Sequence, residues 1–226
     1  MKSISASLLL LPAAVFLLAA SAGFESCIHA PERTAVSSNQ PMAQAPDSFL
    51  VVFETTKGEF VVKAHREWSP LGVDRLYELA GANLHAGAPI FRMIPGKLVQ
   101  FGLTGDSAVD AAWEARGIAD EPVIAKNERG RMSYARSGPS TRSAQLFINL
   151  RNNSPRYDTT NAQGVIGYPP IAEVVEGMST LDSLEGKYGN APSEFQDSIS
   201  VKGLRWLDER FPGLDRITRV YVRTQR

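Results

Sequence analysis

Two runs near the start of the folded part narrow the choice of fold more than anything else in the chain. Residues 49–54 are β-branched, aromatic or leucine up to Glu54, residues 59–64 repeat the pattern from Glu59, and Thr55-Thr56-Lys57-Gly58 lies between them. Such side chains suit a pleated surface, and a short Gly-containing connection turns one run back on the other, so the pair predicts an antiparallel hairpin. Further strand-like runs recur over 89–94, 97–103, 130–135, 145–150, 164–168 and 171–175, with a last one over 217–222. Many short strands and few helices predict a mainly β protein, a closed antiparallel β-barrel.

Two helices are expected on its flanks. Ser69 reads as a cap, Pro70 as the first helical residue, Val73, Leu76 and Leu79 follow at helical spacing, and Gly81 reads as a stop. The second covers 177–184. The barrel domain is taken as 48–186. Residues 187–226, with an amphipathic piece over 203–211, are expected to form a C-terminal appendage packed on the barrel, because the tail over 194–226, about thirty residues, is too short for a core of its own.

The first residues have the make-up of an export signal: Lys2, an apolar run from Leu8 to Ala19, and the small residues Ala20-Ser21-Ala22. A signal peptide over 1–22 is predicted, followed by a disordered linker over 23–47 rich in Ala, Pro, Ser, Gln and Asn. The apolar run is short of the roughly 20 residues a spanning helix needs, so the mature protein is expected without a membrane span, periplasmic or secreted. Cys27 is the only cysteine, which rules out an internal disulfide.

Several classes of function are disfavoured. Formal net charge is zero and no long basic run occurs, so nothing marks a nucleic-acid partner. His29, His65 and His85 lack metal-ligand spacing, and no metal is predicted. Ser137 and Ser143 have no paired histidine and stand in no nucleophile elbow, which argues against hydrolysis.

What remains is a pattern of alternation. Residues two apart on a strand share a face, so Leu98 and Gln100 point one way while Val99 and Phe101 point the other. The same parity groups Gln145, Phe147 and Asn149 against Leu146, Ile148 and Leu150. One face is wholly apolar and fills the barrel. The other mixes amides with Phe147 and Leu98, and Arg92 joins it from the preceding strand. Apolar walls with a few polar groups are the make-up of a ligand site.

The segments 90–102 and 138–149 resemble the two signature segments of the cyclophilin family of peptidyl-prolyl isomerases, and the resemblance extends over 49–184. It implies a cyclophilin-like eight-stranded closed barrel that works without a cofactor. Arg92 matches the family's catalytic arginine and Gln100 the glutamine that positions it. Gln145 and Phe147 match the second glutamine and the phenylalanine of the proline pocket, which Ile94 and Leu98 would also line. Ala135, Arg136 and Ser137 match the segment whose backbone pairs with a bound peptide, and Tyr168 stands where it can replace the packing of a pocket histidine. Val174-Val175-Glu176-Gly177-Met178 is another family phrase. Lys97 departs from the pattern, since an aromatic ring usually stands there, and the family's pocket tryptophan is missing around 163–168. The likeness is closest to bacterial members with a C-terminal extension, such as those with stretches like Asp120-Glu121-Pro122-Val123 and Lys187-Tyr188-Gly189-Asn190.

The resemblance predicts an isomerase of Xaa-Pro bonds whose partners are proline-containing polypeptides and which acts as a monomer. The rival reading is a proline-peptide binding module or chaperone on the same barrel with little turnover.

Overall fold

The computed structural model describes residues 42–223. Residues 1–41, which hold the expected signal peptide and most of the expected linker, lie outside the described residues. Strand β1 (Ser48–Thr55) and strand β2 (Gly58–His65) form the expected hairpin. At its tip the Thr55 hydroxyl donates to the Gly58 carbonyl at 2.6 Å and accepts from the Lys57 N–H at 3.0 Å. Cross-strand pairing sets Val51 opposite Val62 and Phe53 opposite Phe60. The two phenylalanine rings stack at 4.9 Å in the barrel core, a contact that contributes about 0.5–1.5 kcal/mol beyond the area it buries.

After helix α1 (Pro70–Gly81) come β3 (Arg92–Ile94), β4 (Leu98–Phe101), α2 (Ser107–Glu114), β5 (Arg131–Tyr134) and β6 (Leu146–Asn149). Next are α3 (Ser154–Tyr157), the small hairpin β7 (Asn161–Ala162) and β8 (Val165–Ile166), β9 (Pro170–Glu176), α4 (Met178–Asp182), α5 (Gln196–Arg210) and β10 (Ile217–Arg223). Five α-helices are thus described where two were expected. The additional ones are α2, capped by the Asp106 carboxylate on the N–H groups of Ala108 and Val109, the four-residue α3, and α5, which is broken at Gly203.

The main sheet has eight strands in the order β10-β1-β2-β9-β5-β6-β4-β3, every described pair antiparallel. The ladder does not close on itself as expected, because β3 and β10 stand at its two ends and do not pair. The gap between them is spanned instead by backbone bonds from Gly87 and Ile90 to the carbonyls of Ile217 and Asp215, and from Ile217 to Ala88. The run 164–168 is not one of the eight, since its strand pairs only within the β7–β8 hairpin.

The eighth strand comes from the stretch expected as an appendage. β10 pairs with β1 over its length, Val51 opposite Val222 and Phe53 opposite Val220. The part that lies outside the sheet is the segment between α4 and β10. It packs through a second apolar cluster in which Ile199, Leu207, Phe211 and Leu214 meet Phe91 and Leu103, the residues that flank β3 and β4. The near end of the expected linker is also packed: Ala45 is buried, and its N–H donates to the Asp74 carboxylate at 2.9 Å.

Ser69 stands at the N-cap of α1 as expected, and its carbonyl accepts from the Val73 N–H at 2.9 Å, but its side chain makes no capping bond. Glu121, fifty residues downstream, accepts from the Leu71 and Gly72 N–H groups at 2.8 and 3.1 Å and binds the Ser69 hydroxyl. Its charge at this end complements the helix dipole. The partner that fixes Glu121 is Arg142, which is only 1 % exposed; its guanidinium donates to Glu121 at 2.9 Å and to the Ala119 carbonyl. No helix among the described residues is long and apolar enough to cross a membrane.

Candidate active site

Register builds the site. Arg92 on β3 lies opposite Gln100 on β4, and Gln100 lies opposite Phe147 on β6, so the three form one row across three strands. The next row along is Ile94, Leu98 and Asn149. Val99, Phe101, Leu146 and Ile148, of opposite parity, enter the barrel core. Alternation therefore sends the apolar residues inward and leaves this mixed row on the outer face.

Within it the Arg92 guanidinium donates from Nη1 to Gln100 Oε1 at 3.0 Å. Gln100 Nε2 in turn donates to Gln145 Oε1, also at 3.0 Å. The two bonds fix the Gln100 amide in one orientation, and through it the arginine. Arg92 Nε is buried with no partner, so the guanidinium has a donor not used within the chain. Gln145 can reach Gln100 because Gly102, which follows β4, sits at φ +123°. A Cβ there would lie 2.6 Å from both the Ala144 carbonyl oxygen and the Gln145 Cα. His85, buried beneath, bonds through Nε2 to that same carbonyl at 2.9 Å.

Arg92, Leu98, Gln100, Ala135, Arg136, Phe147 and Tyr168 line one cleft of about 300 Å³. Its apolar wall is an aromatic trio, in which Phe147, Tyr157 and Tyr168 meet edge to face with centroids 5.5 to 5.6 Å apart. Gln145 and Ser137 line an adjoining groove on the other side of Gln100, bounded by α2 and the start of α5. Ile94 shares the outer face but lines neither cavity.

The 135–137 segment is partly engaged within the chain. The Ala135 N–H donates to the Gln145 carbonyl and the Ser137 N–H to the Thr141 hydroxyl, each at 3.0 Å. The Arg136 side chain bonds the carbonyls of Val165 and Gly167 and lies over the Tyr168 ring at 4.9 Å. Under the cleft a buried amide network sets its floor: Asn149 donates to Asn127, Asn127 to Asp158 and to the Tyr168 carbonyl, and Asn153 to Asn149 and to the Lys97 carbonyl. Buried polar groups joined in this way fix the backbone around them firmly.

Sequence reasoning had not named Arg156, Tyr157, Thr160 or Gln196, which also line the cleft. A helix of four residues, α3, is too short to show a period. The only available signals were Asn152-Asn153 followed by Pro155, which mark a helix start. Gln196 comes from the segment that looked like an external appendage. Among the described residues no group of three or more His, Cys, Asp or Glu could hold a metal ion.

A family model described as cyclophilin type peptidyl-prolyl cis-trans isomerase/CLD matches residues 50–206. The chain belongs to this family. Among its curated relatives, a peptidyl-prolyl cis-trans isomerase-like 3 of Neurospora crassa is 29 % identical over 160 residues, 67 % of this chain and 92 % of that protein. Peptidyl-prolyl cis-trans isomerase B of Escherichia coli is 28 % identical over 139 residues, 61 % of this chain and 84 % of that protein. In fold the chain is similar to a Cryptosporidium parvum cyclophilin type isomerase crystallised in the presence of the dipeptide Ala-Pro, with a TM-score of 0.56 and 16 % identity over 78 % of this chain and 99 % of that one. The cyclophilin fold here is an open half-barrel of antiparallel strands with helices against it, its two signature segments supplying β3, β4 and β6.

Proposed function

We propose that this cyclophilin turns Xaa-Pro peptide bonds of exported polypeptides between cis and trans, with Arg92 as the catalytic residue. The peptide C–N bond resists rotation through its partial double-bond character, with a barrier of about 18–20 kcal/mol. An uncatalysed Xaa-Pro bond therefore takes roughly tens to hundreds of seconds to turn. No bond has to be broken. In the twisted state conjugation is lost, and the proline nitrogen regains a lone pair that can accept a hydrogen bond.

The observation that carries this reading is a guanidinium donor clamped by Gln100 at 3.0 Å on a residue that lines the cleft beside Phe147 and Leu98. Such a donor is charged at any physiological pH. A charge-assisted bond contributes roughly 1.5–3 kcal/mol, worth about ten- to a hundredfold in rate if made only to the twisted state. Phe147, Leu98 and the two tyrosines would hold the proline ring, and a dry wall strengthens the field of the arginine. Gln145 would hold a peptide carbonyl.

NMR exchange of a short Xaa-Pro peptide tests the assignment. Arg92→Ala is expected to lose at least tenfold in kcat with the peptide still bound. Equal exchange enhancement by both proteins would exclude the proposed role of Arg92, and binding without enhancement by either would favour a proline-peptide binding module. The export signal supports a place in the periplasm or outside the cell, with the protein acting there as a monomer. Fractionation with N-terminal sequencing, expected to read from Gly23, checks the first, and light scattering the second.

A further inference from the structure

The cleft that would receive the proline is ringed by cations. Arg92, Lys97, Arg136 and Arg156 all line it, and no Asp or Glu does. The adjoining groove is richer in acids, with Asp110, Glu114 and Asp197 in its walls and Arg136, shared with the cleft, as its one cation. The contrast is local, since the whole chain carries equal numbers of acidic and basic residues.

The ring is also unmatched by acids. Elsewhere Arg66, Arg75, Arg131 and Arg142 each meet a carboxylate within 3.0 Å. Arg92, Lys97, Arg136, Arg151 and Arg156 form no ion pair with any acid of the chain among the described residues. Arg92 is held by an amide and Arg136 by carbonyls. Lys97, on the turn between β3 and β4, is held below its usual lysine range by burial first, then by Arg156, Arg92 and Arg151. These cations repel one another across a half-dry cleft, and an anion placed among them would relieve that repulsion.

We propose that the rim formed by Lys97 and Arg156 selects polypeptides carrying an aspartate or glutamate beside the target proline, on the side that leaves over the β3–β4 turn and α3. This rests on the isomerase reading of the same cleft. A carboxylate on that side meets Lys97 and Arg156, with Arg92 behind them. A carboxylate on the other side runs toward Asp110, Glu114 and Asp197 and is repelled. One acidic flank is therefore favoured over the other, and a basic residue at the rim is disfavoured. Selection of this kind shows in salt dependence, because partly exposed charges are screened by ions.

The test uses peptides with Asp, Asn or Lys placed in turn before and after the proline. Exchange enhancement is measured at low and high ionic strength, and binding is measured separately by chemical-shift titration. At low salt the Asp peptide with the favoured flank is expected to exceed the matching Lys peptide by about tenfold in kcat/KM, the scale of two or three partly exposed charge pairs. The ratio should shrink in high salt. In a Lys97→Gln, Arg156→Gln double variant it should fall toward one. Because the ratio compares two peptides on one protein, loss of folded protein cancels from it. Equal turnover of Asp and Lys peptides at low salt overturns the charge selection while leaving the isomerase reading standing. Tighter binding of the Asp peptide with no enhancement for any peptide keeps the selection and overturns the isomerase reading. Equal binding with no enhancement overturns both.

Discussion

Replacing Gly102 by alanine tests whether the amide relay orients Arg92. The added Cβ would lie 2.6 Å from the Ala144 carbonyl oxygen, where ordinary contact begins at 3.4 Å. The 144–145 backbone must therefore withdraw from β4 by most of an ångström. Ala144 cannot give way freely, since His85 holds its carbonyl at 2.9 Å. The Gln100–Gln145 bond, 3.0 Å long at present, would open beyond hydrogen-bonding range. Two costs follow. The backbone at φ +123° is strained for any L side chain, roughly 1–3 kcal/mol of stability. Losing the relay bond removes roughly 0.5–1.5 kcal/mol from the ordering of Arg92, which corresponds to about two- to tenfold in kcat/KM. Gly189→Ala separates these effects, because Gly189 has a positive φ of 54° and nothing within 4 Å of the place a Cβ would take. Peptide exchange by NMR gives the activities and urea unfolding the stabilities. Both variants are expected to be destabilised, and only Gly102→Ala to lose turnover. If Gly102→Ala keeps full kcat/KM while unfolding at lower urea, the relay does not set the arginine and the spacing at Gly102 serves stability alone.

Glu121→Ala should destabilise the fold by about 3–5 kcal/mol, because it strands the buried Arg142 and removes the acceptor at the start of α1; thermal or urea unfolding checks it, and the loss should be smaller in a Glu121→Ala, Arg142→Met pair. Lys97→Met should raise the melting temperature near neutral pH. The sign follows from the lowered folded-state pKa: between that value and the ordinary lysine value of 10.5 the unfolded chain binds more protons, so native stability rises with pH as the repelled charge is lost. The advantage of the methionine variant should therefore be largest below the folded pKa of Lys97 and shrink as pH climbs through it, which melts from pH 7 to 10 would show.

The strands that carry the site could be read from the chain because their signal is local. Leu98 to Phe101 and Leu146 to Asn149 alternate between core and cleft in a way that a two-residue period reveals without any knowledge of neighbours. Pairing partners are another matter. Nothing in residues 217–222 says that they lie beside residues 50–55, more than 160 positions earlier, so β10 read as part of an appendage and the sheet as a closed ring. The cap of α1 was legible only in part for the same reason: Ser69 holds the N-cap position, yet the acceptor for the first free N–H groups is Glu121, which comes from a distance. α2 left a legible trace in Asp106 and the alanines after it, but its flanking turns hid it among strands. Arg156 and Tyr157 reach the cleft through the Asn127–Asn149–Asn153 network, whose members are scattered over 26 positions and form no motif.

The place of β10 also bears on how the molecule is made. A ribosome emits β1 long before its second neighbour exists, so through most of synthesis one side of the first hairpin has bare amide and carbonyl groups with no strand to meet them. The pairing of β1 with β10 joins segments more than 160 positions apart, a contact slow to form in the manner of long-range β pairing. Until β10 has emerged, the first hairpin keeps one open edge to be guarded.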